Sequence, residues 1–230
     1  MLKFGFSPLL LLLLVLPLIW PDAASAQNVS LKPDKPIRIV AYGDSLTAGY
    51  RLPQDQAFPV RLEKALRKRG YNVIVMNSGV SGDTAAAGLE RLQWSLPQKL
   101  DAVILELGAN DALRGLSPAV TKHALEEIIK QLKNRNAEVL IAGMQSPRGY
   151  GPEYAKAFAS IFPTLAEKYG LIHYPFFLKG VALRPELNLS DGMHPNKKGV
   201  EVLVENILPS VENLIRRVQD KKLKEASGPG

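Results

Sequence analysis

The chain has 230 residues, no cysteine, three histidines and a net charge of +7. Without cysteine it can form neither a disulfide framework nor a thiolate zinc site, and histidines this scattered do not make a metal cluster. The positive balance would suit anionic partners, but no nucleic-acid-binding module accompanies it, so the basic stretches at 61–69 and 216–224 read as solvated helix faces.

Lys3 opens a positively charged start, residues 9–20 are almost wholly apolar, and Ala24-Ser25-Ala26 is a small-residue cleavage site. A membrane anchor needs about 20 predominantly apolar residues. This run is shorter, holds Pro17 and is followed by Pro21 and Asp22. The expectation is a cleaved export signal over 1–26 and a periplasmic or secreted product. The junction has no cysteine, which excludes a lipoprotein anchor. Cleavage removes Lys3 and Asp22 together and leaves the charge at +7. About 200 residues remain, enough for one domain with a sizeable core. We place that domain at 27–220 and expect the charged, then Gly/Pro-rich stretch 221–230 to be disordered.

Strand-like runs at 37–42, 71–77, 102–107, 138–142 and 171–174 are apolar and rich in Val, Ile and Leu. They lack polar alternation, as a parallel sheet covered on both faces requires. Helical patterns lie between them. Residues 58–69 turn Val60, Leu62, Ala65 and Leu66 toward a core. Residues 118–134 start at Ser117 as N-cap and Pro118 at the first helical position, with Val120, Ala124, Leu125, Ile128, Ile129 and Leu132 in a 3.6-residue period. A helix over 153–169 is expected to kink or restart at Pro163, and the last helix begins after Pro195-Asn196 with Pro209 as a second kink. The alternation predicts an α/β fold, a three-layer α/β/α sandwich on a five-stranded parallel sheet.

Four polar clusters interrupt this scaffold: Gly43-Asp44-Ser45, Ser81-Gly82-Asp83-Thr84, Gly108-Ala109-Asn110-Asp111 and Asp191-Gly192-Met193-His194. The first three follow strands, and in a parallel sheet those strand ends share one edge. The fourth can reach them from the loop after the last strand. A serine hydroxyl needs an adjacent base, itself oriented by a third group. Asp191 can fix one ring nitrogen of His194 while the other addresses Ser45. Oxyanion donors are available in the N–H groups of Ser45 and Gly82 and the side-chain amide of Asn110. Asp44, Asp83 and Asp111 read as acceptors that order their loops. His123 and His173 read as surface or structural residues.

In this order the clusters resemble the sequence blocks of the SGNH (GDSL-type) hydrolases. The agreement runs through Gly43-Asp44-Ser45-Leu46-Thr47-Ala48-Gly49-Tyr50, Ser81-Gly82-Asp83-Thr84, Gly108-x-Asn110-Asp111 and Asp191-Gly192-x-His194-Pro195-Asn196. It is closest to the branch of bacterial periplasmic acyl-CoA thioesterase/lysophospholipases and arylesterases. The resemblance implies a flavodoxin-like sandwich, Ser45 as nucleophile, His194 as base, Asp191 as its partner, and Gly82 and Asn110 as oxyanion donors. It implies no cofactor and no metal.

Apolar residues in the loops above this edge, Leu113, Leu116, Tyr150, Tyr154, Phe176, Phe177 and Leu183, are the candidate acyl groove. The expected reaction is hydrolysis of aryl and acyl esters, acyl thioesters or lysophospholipids by a monomer. Its partners would be the small-molecule substrate and, transiently, a membrane surface, with no nucleic acid. A carbohydrate O-deacetylase or O-acyltransferase on the same fold is the alternative, and a non-catalytic acyl-binding protein the more distant one.

Overall fold

The computed structural model describes residues 1–2 and 35–228. The expected export signal over 1–26 and its expected cleavage site lie outside the described residues apart from Met1 and Leu2. The sheet and its helices belong to the unit that begins at Asp34.

The chain runs β1 (Ile37–Gly43), α1 (Ser45–Ala48), α2 (Phe58–Lys68), β2 (Val73–Gly79), α3 (Ala85–Ser95), β3 (Ala102–Glu106), α4 (Ala109–Leu113), α5 (Pro118–Asn134), β4 (Glu138–Ala142), α6 (Gly151–Tyr169), β5 (Ile172–Tyr174) and α7 (Lys197–Ser227). The five strands form one parallel sheet in the order β2-β1-β3-β4-β5. Helices α2 and α7 pack together, as do α3 with α5 and α5 with α6. This is the expected sandwich. Ile39, Val40, Ala41 and Tyr42 of β1 have no exposed surface, which explains why the run shows no polar alternation.

The strand order reverses between β1 and β3, because the chain first adds β2 on one side of β1 and then crosses to the other. Open α/β sheets bind ligands in the crevice at such a switch point, outside the carboxyl ends of the strands. The single turn of α1 after β1 carries Ser45, and the short α4 after β3 carries Asn110.

Several elements depart from the sequence reading. Val60 on α2 and Val120 on α5 are exposed despite their apolar character: Val60 lies on the face away from the buried Phe58, Leu62 and Leu66, and Val120 at the margin of the α5 buried stripe. Helix α6 runs unbroken through Pro163, with Phe158, Ile161, Phe162 and Leu165 buried on either side of it. Ser117 occupies the N-cap of α5, yet its side chain makes no capping bond. Residues 221–227 of the expected tail do not leave the fold: α7 continues to Ser227, and 229–230 lie outside the described residues. Lys222 reaches Asp101 at 2.7 Å, Lys221 reaches Glu138 at 3.8 Å, and Asn136 donates to Glu225 at 3.1 Å. Charges that read as a solvated tail therefore face the amino-terminal edge of the sheet. Helix α3 had no delimiting pattern in the sequence. It starts at Thr84, whose hydroxyl accepts from Ala87 N–H at 3.2 Å.

Candidate active site

Gly43 ends β1, and Asp44 caps the single turn of α1 by accepting Leu46 N–H at 3.0 Å. Gly49, in the left-handed region at φ 81°, ends that turn. Gly43 has a spatial role: a β-carbon there would collide with the Thr47 hydroxyl and with the carbonyl and carboxyl oxygens of Glu106. The turn sets Ser45 at the head of α1, at the edge of the sheet and 9% exposed.

The fourth cluster meets it there. Ser45 Oγ and His194 Nε2 are 2.9 Å apart, and His194 Nδ1 and Asp191 Oδ2 are 2.9 Å apart. The other oxygen of Asp191 accepts the N–H groups of Met193 at 2.9 Å and His194 at 3.0 Å. These bonds hold the Asp191 carboxyl down at about 2, with the His194 backbone N–H as the largest cause. A carboxylate this acidic has no proton to share, so Nδ1 carries the hydrogen and Nε2 is left to accept from the Ser45 hydroxyl. The loop is pinned on both sides of His194. Leu189 N–H donates to His194 O at 2.7 Å, Asn188 bridges Pro195, and Asn196 caps α7 through Lys198 and Gly199 N–H. The Tyr50 ring covers the imidazole, with ring centroids 4.4 Å apart.

The second and third clusters flank the serine. Among the described residues, the N–H groups of Ser45 and Gly82 donate to no protein group. Gly82 sits at φ 89°, and Arg114 holds its carbonyl at 2.9 Å. Asn110, expected from the sequence as an oxyanion donor, is held in the structure by two bonds. Its Nδ2 donates to Asp44 Oδ2 at 3.1 Å and to Asp83 O at 2.9 Å, so both amide hydrogens are engaged.

The three loop aspartates act as acceptors. Asp44 is fully buried, and desolvation raises its carboxyl to about 7. Asp83 pairs with Arg91 at 2.5 Å, and Asp111 ties α3 to α5 by accepting Ala85 N–H at 2.8 Å and the Thr121 hydroxyl at 2.9 Å. His123 is exposed on α5. His173 lies in β5 with a partnerless Nε2, and burial lowers its pKa. Neither enters the cluster. Among the described residues no three His, Asp or Glu side chains are grouped to hold a metal ion.

The acyl-groove candidates divide. Leu113 and Tyr150 are exposed, and the Tyr150 hydroxyl donates to Leu113 O at 2.8 Å. Leu116 and Phe176 are half-buried, Tyr154 donates to Leu116 O at 2.8 Å, and Leu183 is 89% exposed. Phe177 is a correction. It is 1% exposed and packs edge-on against Phe58 with centroids 5.0 Å apart, so it belongs to the core.

Residues 41–202 match the model of the GDSL-like Lipase/Acylhydrolase family. The chain belongs to that family. As a GDSL-like acylhydrolase it is 41% identical over 159 residues to the arylesterase of Vibrio mimicus, a match covering 69% of this chain and 80% of that one. It is 35% identical over 178 residues to thioesterase 1/protease 1/lysophospholipase L1 of Escherichia coli (strain K12), covering 77% and 84%. Among solved structures it resembles AlinE4, an SGNH-hydrolase family esterase, at 45% identity and a TM-score of 0.66, covering 78% of this chain and 96% of that one.

Three residues of this GDSL-like site escaped the sequence reading. Glu106 is the only charged residue in the strand-like run 102–107, and that was its signal. Arg91 lies on the unmarked helix α3. It donates to Gly43 O at 3.0 Å and to Asp83, with its guanidinium 4.1 Å from the Tyr42 ring centroid. Tyr50 closes the first sequence block, but nothing in its spacing announced contact with His194.

Proposed function

We propose that the protein is a serine esterase that cleaves aryl and acyl esters, and acyl thioesters or lysophospholipids by the same chemistry, after export to the periplasm or beyond. One observation carries the reading: the hydrogen-bonded series Ser45 Oγ, His194 Nε2, His194 Nδ1, Asp191 Oδ2, with both links at 2.9 Å. Relatives named arylesterase and thioesterase 1/protease 1/lysophospholipase L1 support the substrate class.

In this mechanism Ser45 Oγ attacks the substrate carbonyl as its proton passes to His194 Nε2. Asp191 holds the ring by its other nitrogen and stabilises the imidazolium. The carbonyl oxygen, now an anion, lies against the N–H groups of Ser45 and Gly82. Asn110 joins them by exchanging one of its two present bonds for the oxyanion. The imidazolium then protonates the leaving alcohol or thiol, and the acyl group stays on Ser45. Water then attacks the acyl carbon as its proton passes to His194, the bond from the acyl carbon to Ser45 Oγ breaks, His194 returns the proton to Oγ, and the carboxylic acid is released. Leu113, Leu116, Tyr150 and Phe176 are the residues proposed to meet the acyl chain.

Turnover of p-nitrophenyl esters of increasing chain length, acyl-CoA and lysophospholipid by the purified protein tests this, with Ser45→Ala as control. The expected result is ester hydrolysis and fluorophosphonate labelling that both vanish in the control. Activity that survives the substitution would overturn the reading.

A further inference from the structure

Beneath the serine turn lies a second carboxyl group that the proposed mechanism does not use. Glu106 is the last residue of β3, and its register partner on β1 is Gly43. Its side chain has no exposed surface, and neither have those of Asp44 and Thr47. Its Oε2 accepts the Thr47 hydroxyl at 2.7 Å, while Oε1 is buried with no hydrogen-bond partner. The contact exists because Gly43 leaves the space that a β-carbon would fill. An unpaired buried charge is costly, and an isolated glutamate in an apolar strand is tolerated only when it is neutral or firmly bonded. The backbone N–H groups of Asp44 and Thr47 also act on this carboxyl, so every polar group that meets it belongs to the turn bearing Ser45.

Thr47 is the third residue of α1, two positions after Ser45. The turn is short, and its backbone bonds from Ala48 N–H to Asp44 O and from Gly49 and Tyr50 N–H to Ser45 O close it on itself. Asp44 caps its start, and the Asn77 amide reaches Ala48 O at 3.2 Å. The Thr47–Glu106 bond is the contact that ties the middle of the turn to the central strand of the sheet.

We infer that Glu106 is a positioning residue: its carboxyl, acting through the Thr47 hydroxyl, sets where Ser45 Oγ stands relative to His194 Nε2. The inference rests on the esterase reading above. The carboxyl acts as the neutral acid. Burial is the largest reason and the neighbouring Asp44 carboxyl the next, since two buried acids side by side resist carrying two charges. A neutral acid holds Thr47 without placing a fixed charge under the serine. Misplacing reacting groups by a fraction of an ångström slows the chemical step and leaves substrate binding intact.

The test measures kcat, KM and fluorophosphonate labelling for the full chain carrying Glu106→Gln, Glu106→Leu, Thr47→Val, Thr47→Ser and the Thr47→Val/Glu106→Leu pair, with thermal melts for folding. Glu106→Gln and Thr47→Ser keep the bond and are expected within about threefold of the parent. Glu106→Leu and Thr47→Val are expected to lower kcat by about 10- to 100-fold at unchanged KM, and the pair to be no slower than its slower member. If Glu106→Leu does not fold, Val against Ser at position 47 reads the same link. Absence of turnover and of Ser45 labelling in the parent would overturn both readings. With parent activity in hand, full kcat in Thr47→Val, losses that add in the pair, or a Gln variant as slow as the Leu variant would overturn this one alone.

Discussion

Asn110 Nδ2 lies 3.1 Å from Asp44 Oδ2, so the loop after β3 is bonded to the residue that precedes Ser45. The amide proposed to meet the oxyanion is thereby held from the turn that carries Ser45. The bond holds the amide beside Ser45 before substrate arrives, and one of the amide's two present bonds is then exchanged for the oxyanion. Asn110→Ala is expected to lower kcat by about 10²- to 10³-fold with little change in KM, read from p-nitrophenyl butyrate hydrolysis. A loss confined to KM would remove Asn110 from the oxyanion site.

Asp191 orients His194, and Asp191→Asn is expected to reduce kcat by roughly 10⁴-fold, as loss of the correct tautomer does in other serine triads. The same substitution has a stability signature. The folded carboxyl is lowered to about 2 from an ordinary value of 3.8, so its contribution is present above pH 3.8 and is lost as pH falls toward 2. Urea melts should therefore show a gap between parent and Asp191→Asn at pH 5 that closes on acidification. A gap independent of pH would contradict the bonded carboxylate.

Asp44 and Glu106 have the opposite sign. Both carboxyls are raised, Asp44 to about 7 from 3.8, with burial as the largest cause in each. Between those values the unfolded Asp44 has lost its proton and the folded one keeps it, so stability falls as pH rises through this range. Glu106, raised by burial above its ordinary value, adds to the trend in the same direction. Glu106→Gln is expected to melt above the parent by a margin that grows from pH 4 to pH 8. A constant margin would mean that the carboxyl ionises freely in the fold.

Phe177 and Leu113 separate core from groove. Phe177→Ala is expected to cost about 3–5 kcal/mol by urea denaturation, as truncation of a buried aromatic does. Leu113→Ala, at an exposed position, is expected to stay within about 0.5 kcal/mol and to raise KM for longer acyl esters. Equal stability losses would reverse the assignment.

Much of this was legible from sequence because strands buried on both faces appear as unbroken apolar runs. The residues of the candidate triad and oxyanion donors were legible because four turn-like clusters each met a separate chemical need. What stayed hidden depends on partners distant in the chain. Phe177 is as apolar as a groove residue and differs only in having Phe58 across from it. The basic end of α7 has the composition of a free tail, and Asp101 and Glu138 draw it onto the fold. Helix α3 begins Ala-Ala-Ala-Gly and presents no strong apolar stripe, so its start was invisible until Thr84 was seen to cap it. Tyr50 gave no sign in its own neighbourhood because the ring it covers lies far along the chain.

Arg91 bonds both the carbonyl of Gly43 and the carboxylate of Asp83, with its side chain 6% exposed. The segment bearing Gly82 and the segment bearing Ser45 are thus fastened to one rigid planar cation, and neither can shift far while the other stays behind. A substrate that presses on residues 81–83 also presses on Ser45, the proposed nucleophile. Changes of acyl preference should then be easier to obtain on the Leu113 and Tyr150 side, which Arg91 does not grip. Substitutions beside Gly82 would detune the serine along with the selectivity.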